Sequence, residues 1–477
     1  MSATLALVRR DDFTADVEVL NLLAFAAGWD LLDDGWQQAI AAPDDPSVTE
    51  ALSLAARGTS HDDLAANVQA LDLKLKQMGW FNNPIERYSV WLRAKLNSET
   101  NTRQALLLSG KRSPAPLWKG ALALAAADGK YYLQPYAVAL ERAPYWEATT
   151  AVSYAPSSSI STVGGTLDYT TYGGSPGAVA GDVPARLARV LFNGLSGGAS
   201  SPLSKFWLGF RTDRFGSRAN FTPCWSLYLG SGSYDADTSD TVDATAKAGH
   251  RVVTTFSAVK TLLTRVKVTT TQASAHPSDQ RGNYLVLLRA KLSASGQVNV
   301  RLRSGITSSA ALAALARVPV ASTSWNLYEL GTVGLPSPGR ATNGADPLAL
   351  FCLGIDAEQV SGSPSLHMDS LILIPAGEGW LSVDLQTPSV GVLYGGGSGS
   401  DPQPIQVQDR PDGTHDATWV SGGLSQVVAV PRITDGLPVG AGILVLAGQA
   451  YAASTLADVV GVELDVYPRY VTLRGAS

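Results

Sequence analysis

Residues 282–305, GNYLVLLRAKLSASGQVNVRLRSG, decide the fold. Tyr284, Val286, Leu288, Ala290 and Leu292 alternate with Leu285, Leu287, Arg289 and Lys291. Val298, Val300 and Leu302 then alternate with Asn299, Arg301 and Arg303. A period of two places successive side chains on opposite faces of a strand. The intervening Ser293-Ala294-Ser295-Gly296 has turn chemistry, so the stretch reads as a β-hairpin. Strands are also expected at Trp207–Arg211, Trp225–Leu229, Val252–Phe256 and Leu262–Thr269. Thr307–Arg317 reads either as a short helix or as an Ala-rich loop. Residues 205–380 are therefore expected to form one β-sandwich.

Working outward, residues 1–150 show strand patterns at 17–23, 88–96, 102–110 and 131–142. Trp29 and Trp36 flank an Asp33-Asp34-Gly35 turn, which predicts a hairpin. One helix stands out. Leu64, Val68, Leu71, Leu75 and Met78 recur at helical spacing after Ser60, a natural N-cap with Asp63 three residues on, and Gly79 is a C-terminal stop. Its single apolar face should lie on a sheet. Residues 151–204 shift to Ser, Gly, Thr, Ala and Pro and read as an extended connection with a short strand at Leu187–Phe192. In residues 381–477, strand patterns recur around Val428, Ile443 and Val460–Val466 after a Gly/Ser stretch. The roughly 80 residues after that stretch make a small independent core, so this segment is expected to pack on or complete the first domain, with residues 205–380 as an insertion.

Composition bounds the function. Of 477 residues 45% are hydrophobic and 16% charged, which excludes an intrinsically disordered chain. The 46 glycines lack a period of three, excluding collagen, and two cysteines, Cys224 and Cys352, cannot staple a disulfide scaffold. The net charge of −5 with no basic block argues against nucleic acid. The start carries no signal-peptide pattern, and the longest apolar run, near 440–453, is too broken and short for a bilayer. The chain is thus expected to be made in the cytoplasm, with no membrane insertion.

Catalytic constellations are scarce. His61, His250, His276, His367 and His415 have no metal-ligand spacing, and G-x-S-x-G at Gly173–Gly177 and Gly194–Gly198 lacks the strand–turn–helix setting of a nucleophile elbow. In the first, Pro176 follows the serine and supplies no N–H for an oxyanion hole. No cofactor and no enzymatic activity are expected. Asp235, Asp237 and Asp240, with Asp243, suit a structural calcium ion, which takes six to eight oxygens, or form a solvated acidic loop. Tyr234, Trp225 and Trp325 are the candidate ligand-binding aromatics. Trp225 and Trp325 lie in strand patterns typical of a core, and Tyr234 lies in the loop beside Asp235.

Two resemblances add to this. YSVWLRAKLNSETNTRQALLLSG (88–110) and YYLQPYAVALERAPYWEA (131–148) resemble the N-terminal domain of phage tail proteins of the distal-tail type, and VGVELDVYPRYVTLRG (460–475) resembles the closing strand of tail structural proteins. The likeness implies a β-sandwich with one helix that builds rings at the tail tip. GNYLVLLRAKLSASGQVNVRLRSG, WNLYELGTVGLPS (325–337) and SLHMDSLILIP (365–375), with Asp369 in the last strand, resemble jelly-roll carbohydrate-binding modules. Together they imply a mainly β chain: a tail-type β-sandwich with one helix plus an inserted jelly roll. The leading expectation is a structural virion component of a phage tail, forming a homo-oligomeric ring with other tail proteins as neighbours. The alternative is a receptor-recognition or adhesin-like protein that binds a host surface glycan.

Overall fold

The computed structural model describes residues 3–11, 15–23, 28–42, 45–77, 88–112, 124–125, 132–154, 160–161, 165–168, 178–196, 203–212, 224–227, 238–246, 249–256, 262–269, 282–305, 313–335, 352–377, 380–384, 405–409, 415–421, 424–428, 436–440, 442–450 and 459–473. The N-terminal region supplies β1 (Thr4–Asp11), β2 (Ala15–Asn21), β3 (Trp29–Gln37), β4 (Val48–Gly58), α1 (His61–Gln77), β5 (Tyr88–Lys95), β6 (Arg103–Arg112), β7 (Leu124–Ala125), β8 (Tyr132–Arg142) and β9 (Trp146–Ala148). Next come β10 (Val152–Tyr154), β11 (Ile160–Ser161), β12 (Gly165–Asp168), β13 (Val183–Ser196) and β14 (Leu203–Thr212). The middle of the chain forms β15 (Cys224–Ser226), β16 (Thr238–Val242), β17 (His250–Thr254), β18 (Leu262–Thr269), β19 (Gly282–Leu292), β20 (Gly296–Gly305), β21 (Ala313–Ala314), β22 (Val318–Val320), β23 (Asn326–Leu335), β24 (Cys352–Gly362) and β25 (Leu366–Pro375). The last strands are β26 (Trp380–Asp384), β27 (Ile405–Asp409), β28 (His415–Ser421), β29 (Leu424–Val428), β30 (Gly442–Ala450) and β31 (Val459–Tyr470). The chain is mainly β, with one helix among the described residues and an inserted jelly-roll sandwich.

The helix forms where its periodicity places it. Ser60 Oγ accepts from the Asp63 backbone N–H at 3.1 Å, and the Asp63 carboxylate reaches back to the Thr59 N–H at 2.8 Å. Asp62 and Asp63 also complement the positive end of the helix dipole. Leu64, Val68, Leu71 and Leu75 are buried in the N-terminal core, which packs the helix on β4 and β8. Met78 and Gly79 lie outside the described residues.

One large sheet runs β2-β1-β5-β6-β9-β31-β13-β27-β28-β29, with β3, β4, β7 and β8 joined through β6 and with β10 and β11 on β31. Residues 151–204 are thus more than a connection. β13 is 14 residues long, and it pairs with β31 and β27. Its turn-rich flanks hid an extended strand whose partners lie more than 200 residues away. Asp33-Asp34-Gly35 does not end a hairpin either. β3 runs through it as one strand on β4, with its register broken between Leu31 and Trp36.

The jelly roll has a six-stranded sheet, β16-β17-β25-β19-β23 with β15 on β25, and a five-stranded sheet, β18-β24-β20-β21 with β22 on β20. The expected hairpin at 282–305 is an arch: β19 pairs with β23 and β25, and β20 with β24 and β22. The physical reason is burial. Leu288, Ala290 and Leu292 share one core with Val298, Val300 and Leu302, and crossing between sheets brings the two apolar faces together. Residues 313–314, read as helix or loop, form the short strand β21.

Trp207–Arg211, expected inside the sandwich, belongs to a separate four-stranded sheet, β12-β30-β14-β26. This sheet covers the outer side of the six-stranded one. Trp207, Ile443, Val445 and Ala447 join the jelly-roll core. Trp207 Nε1 donates to Glu329 at 2.7 Å, and Arg211 donates to the Tyr284 hydroxyl at 2.6 Å. A Cβ on Gly209 would sit 2.5 Å from the Pro375 carbonyl oxygen, so only glycine permits this approach. Every residue of β25 is buried, as the middle layer of three requires.

Coupling between these layers is testable. Val445→Asp places an unpaired charge against the jelly-roll core, at a cost of about 2–5 kcal/mol. Hydrogen exchange is expected to show faster exchange of the β19 and β25 amides. Unchanged protection there would show that the four-stranded sheet does not support the jelly roll.

Candidate functional site

A polar cluster lies on the six-stranded sheet, beside the apolar layer. It is built from three strands, β17, β19 and β25, the turn after β16, and Trp325 just before β23. Strand pairing sets Lys291 of β19 opposite His367 of β25, and His367 opposite Val253 of β17, two residues from Arg251. The turn after β16 closes through Ala246 N–H to Asp243 O at 3.0 Å and Asp243 N–H to Gly249 O at 3.0 Å. Asp243 Oδ1 accepts from the Thr245 N–H at 2.9 Å and from its hydroxyl at 2.6 Å, the arrangement of an Asx-turn. Asp243 Oδ2 takes Arg251 Nη1 at 2.5 Å and faces Lys291 Nζ at 3.8 Å.

Trp325 closes the cluster from below. Its Nε1 donates to the Thr245 hydroxyl at 2.9 Å. The Arg289 guanidinium and the Lys291 ammonium lie 4.6 and 4.5 Å from its ring centroid, within cation–π range. Arg289 donates to the Thr245 carbonyl at 3.1 Å and pairs with Asp369. Ser370 donates to the same Asp369 at 2.6 Å. Two buried nitrogens here meet no hydrogen-bond partner among the described residues: His367 Nδ1 and Arg251 Nε.

Electrostatics follow from burial and neighbours. Burial lowers the pKa of His367 from 6.5 to about 4, Arg251 and Lys291 reinforce the shift, and Asp243 opposes it. Burial opposes ionisation of Asp243, yet the Thr245 and Arg251 hydrogen bonds prevail and hold its carboxyl at about 2, below the ordinary 3.8. Burial also lowers the Lys291 pKa, against the pull of Asp243.

The aromatic and acidic candidates from the sequence are placed as follows. Trp325 is buried at 5% exposure and covered by cations, so it is no open platform for a ring ligand. Trp225 is half-buried in β15, opposite Leu371 of β25 and packed on the jelly-roll core. Asp240 is half-buried in β16, opposite Val252. Tyr234, Asp235 and Asp237 lie outside the described residues, as does Gly173–Gly177. Among the described residues no three His, Cys, Asp or Glu side chains gather as a metal site. Sequence reading passed over Arg251, Arg289, Lys291 and Thr245. The signal for two of them was present, since Arg289 and Lys291 break the apolar side of β19.

A second feature is an open sheet edge. Among the described residues β2 pairs with β1 alone, and β29, at the far end of the same sheet, pairs with β28 alone. On β2, Val17 and Val19 are 51% and 56% exposed, whereas Leu20, and Leu22 just past the strand, enter the core. Asp16 binds Arg10 at 2.8 Å and Arg93 at 2.8 Å, and Glu18 pairs with Lys74 of α1, so the edge strand is held in place by its acidic residues.

No family model matches the chain, and no curated protein matches it. Among solved structures, TmCBM61 in complex with beta-1,4-galactotriose is 10% identical, with 35% of this chain and 99% of that chain covered and a TM-score of 0.20. A chain of the phage P2 baseplate in its activated conformation is 9% identical, with 98% of each chain covered and a TM-score of 0.25. The CBM22-1–CBM22-2 tandem domain of Paenibacillus barcinonensis Xyn10C is 9% identical, with 61% and 98% covered and a TM-score of 0.20. All three scores are below 0.5, and nothing about function passes from these proteins to this chain. No helix among the described residues is long and apolar enough to cross a membrane.

The titrations predict two losses of stability on acidification. The unfolded chain protonates His367 near pH 6.5 and the folded chain only near 4, so stability falls as the pH drops through that window. The contribution of Asp243, complete above 3.8, is lost as the pH falls towards 2. Urea midpoints measured against pH should show His367→Gln losing the first slope and Asp243→Asn the second. A His367→Gln slope equal to that of wild type between pH 6.5 and 4 would contradict the assignment.

Proposed function

We propose that this chain is a structural virion component of a phage or phage-like tail, forming a ring near the tail tip and carrying the jelly roll on it. The observation behind this reading is the open edge of β2. A seven-residue edge strand with exposed, β-branched Val17 and Val19 invites strand pairing, which proteins that stay monomeric usually block. The occupant of that edge is a second copy of the chain. The same sheet ends on β29, so β2 of one copy laid along β29 of the next continues the sheet head to tail. A heterologous contact of this kind closes into a ring when its rotation divides the circle. The resemblance of residues 88–110, 131–148 and 460–475 to distal-tail proteins supports the same assembly. Neighbouring tail proteins would contact the ring, and the virion would be its final location.

Light scattering and electron microscopy of the intact protein test this. Wild type is expected to form closed rings. Val17→Lys with Val19→Lys should leave a folded monomer, since both side chains are solvent-exposed and their replacement costs the fold within about 0.5 kcal/mol each. Rings that persist in the double variant, or a wild type that stays monomeric at the highest soluble concentration, would refute the reading.

A further inference from the structure

Helix α1 has two opposite sides, and the fold uses one of them. Leu64, Val68, Leu71 and Leu75 are buried, packing the helix on β4 and β8. Asp62, Ala66, Gln69 and Leu73 recur at the same four-three-four spacing on the other side, and all four are exposed. Leu73 is 57% exposed, and Lys76, three residues on, is the next position of that stripe. The outward side of a surface helix normally carries charged residues along its length. Here charge stands only at the two ends of the stripe, and its centre is Ala66, Gln69 and Leu73. Asp63 and Lys74, on the flank, are held within the fold by Thr59 and by Glu18 of β2.

The stripe is its own complement when reversed about Gln69. Asp62 and Lys76 lie seven residues either side of Gln69, and Ala66 and Leu73 lie three and four residues from it. Turned end for end on a second copy, Asp62 meets Lys76, Ala66 meets Leu73 and Gln69 meets Gln69. Opposite charges then face each other at both ends. A large side chain lies over a small one, and the glutamine amide both donates to and accepts from its own kind. A parallel alignment would instead set Asp62 on Asp62 and Lys76 on Lys76, and would leave a hollow at Ala66. The exposed Ala70 beside the stripe lets the two helices come close. We infer that α1 is a two-fold contact, on which a second copy of this chain lays its own α1 antiparallel. Such a contact uses the same patch on both copies, and the reversed order of charges and sizes is what that requires. The helix has 17 residues and is about 25 Å long, less than a standard interface needs. The pairing is therefore weak, on the order of hundreds of micromolar, and a chain that lacks the β2 contact stays monomeric in the micromolar range.

Disulfide trapping in the full chain tests this, with Val17→Lys and Val19→Lys present so that β2 contributes no contact. Gln69→Cys sits beside its own symmetry mate, so mild oxidation should give a covalent dimer about tenfold faster than Asp62→Cys does, or than the parent with Cys224 and Cys352 alone. Asp62→Cys combined with Lys76→Cys should link as readily as Gln69→Cys. Leu73→Lys should slow the linking of Gln69→Cys about tenfold with circular dichroism unchanged. Asp62→Lys should slow it as well, and adding Lys76→Asp should restore the rate, which damage to the fold would not allow. Gln69→Cys that links no faster than Asp62→Cys, a folded Leu73→Lys with an unchanged rate, or a charge exchange that restores nothing would overturn the inference. The contact uses a surface other than the β2 edge, so Leu73→Lys in the otherwise unaltered chain should leave the proposed rings intact. Loss of those rings in a folded Leu73→Lys would make α1 part of the ring contact and overturn the two-fold assignment.

Discussion

The carboxylate of Glu147 holds together parts of the chain that are far apart in sequence. It sits on β9, at the end of the N-terminal region. It accepts Arg186 Nε at 2.9 Å and Nη2 at 3.0 Å from β13, and Arg469 Nε at 3.0 Å from β31. Burial opposes its ionisation, and the two guanidinium groups outweigh that and keep its pKa below the ordinary value. Tyr467 and Tyr470, also on β31, lie under Arg186 and Arg103. Leu473, just past β31, enters the N-terminal core. The strand nearest the C-terminus is therefore the spine of the large sheet, flanked by β9, β10, β11 and β13. Without it the N-terminal strands and β13 have no common partner.

The second constraint is that the six-stranded sheet of the jelly roll is buried on both sides. At one end its outer face is covered by Trp207, Val445 and their neighbours from the four-stranded sheet. At the other end the same strands carry Arg289, Lys291, His367 and Asp369, roofed by the 243–249 turn. Apolar cover fixes where the jelly roll sits on the body of the molecule, and polar cover leaves a charged patch beside that junction. The jelly roll is thus a layer of the structure as much as an appendage of it. The open β2 edge lies at one end of the large sheet, in the N-terminal region.

Periodicity made the elements legible. The helix from His61, the strands at 88–95, 103–112 and 459–470, and both arms of the 282–305 stretch stand where alternation or helical spacing puts them. Pairing was less legible, because it is decided by layers and not by local pattern. The Ser293–Gly296 turn has hairpin chemistry, yet the need to bury Leu288 against Val300 sends the chain across to the other sheet. β13 was visible only in its central residues, because its partner β31 is remote and its flanks are rich in glycine and serine. The site was the least legible part. Aromatic residues drew the reading to Trp225 and Trp325, whereas the partly exposed charges of this cluster belong to Arg251 and Lys291. These act together only because β17, β25 and β19 are adjacent, and that adjacency joins residues 40 to more than 100 positions apart.

The role of Glu147 as the tie between the ends of the chain is tested most directly by Glu147→Ala, followed by denaturant unfolding and hydrogen exchange. Removing one member of a buried ion-pair network takes the carboxylate away from the buried Arg186 and from Arg469, which typically costs about 3–5 kcal/mol. The account predicts a loss of that size, with the amides of β6, β13 and β31 losing protection together. A variant that unfolds at the wild-type denaturant midpoint, or one in which β31 loosens while β6 and β13 keep full protection, would contradict it.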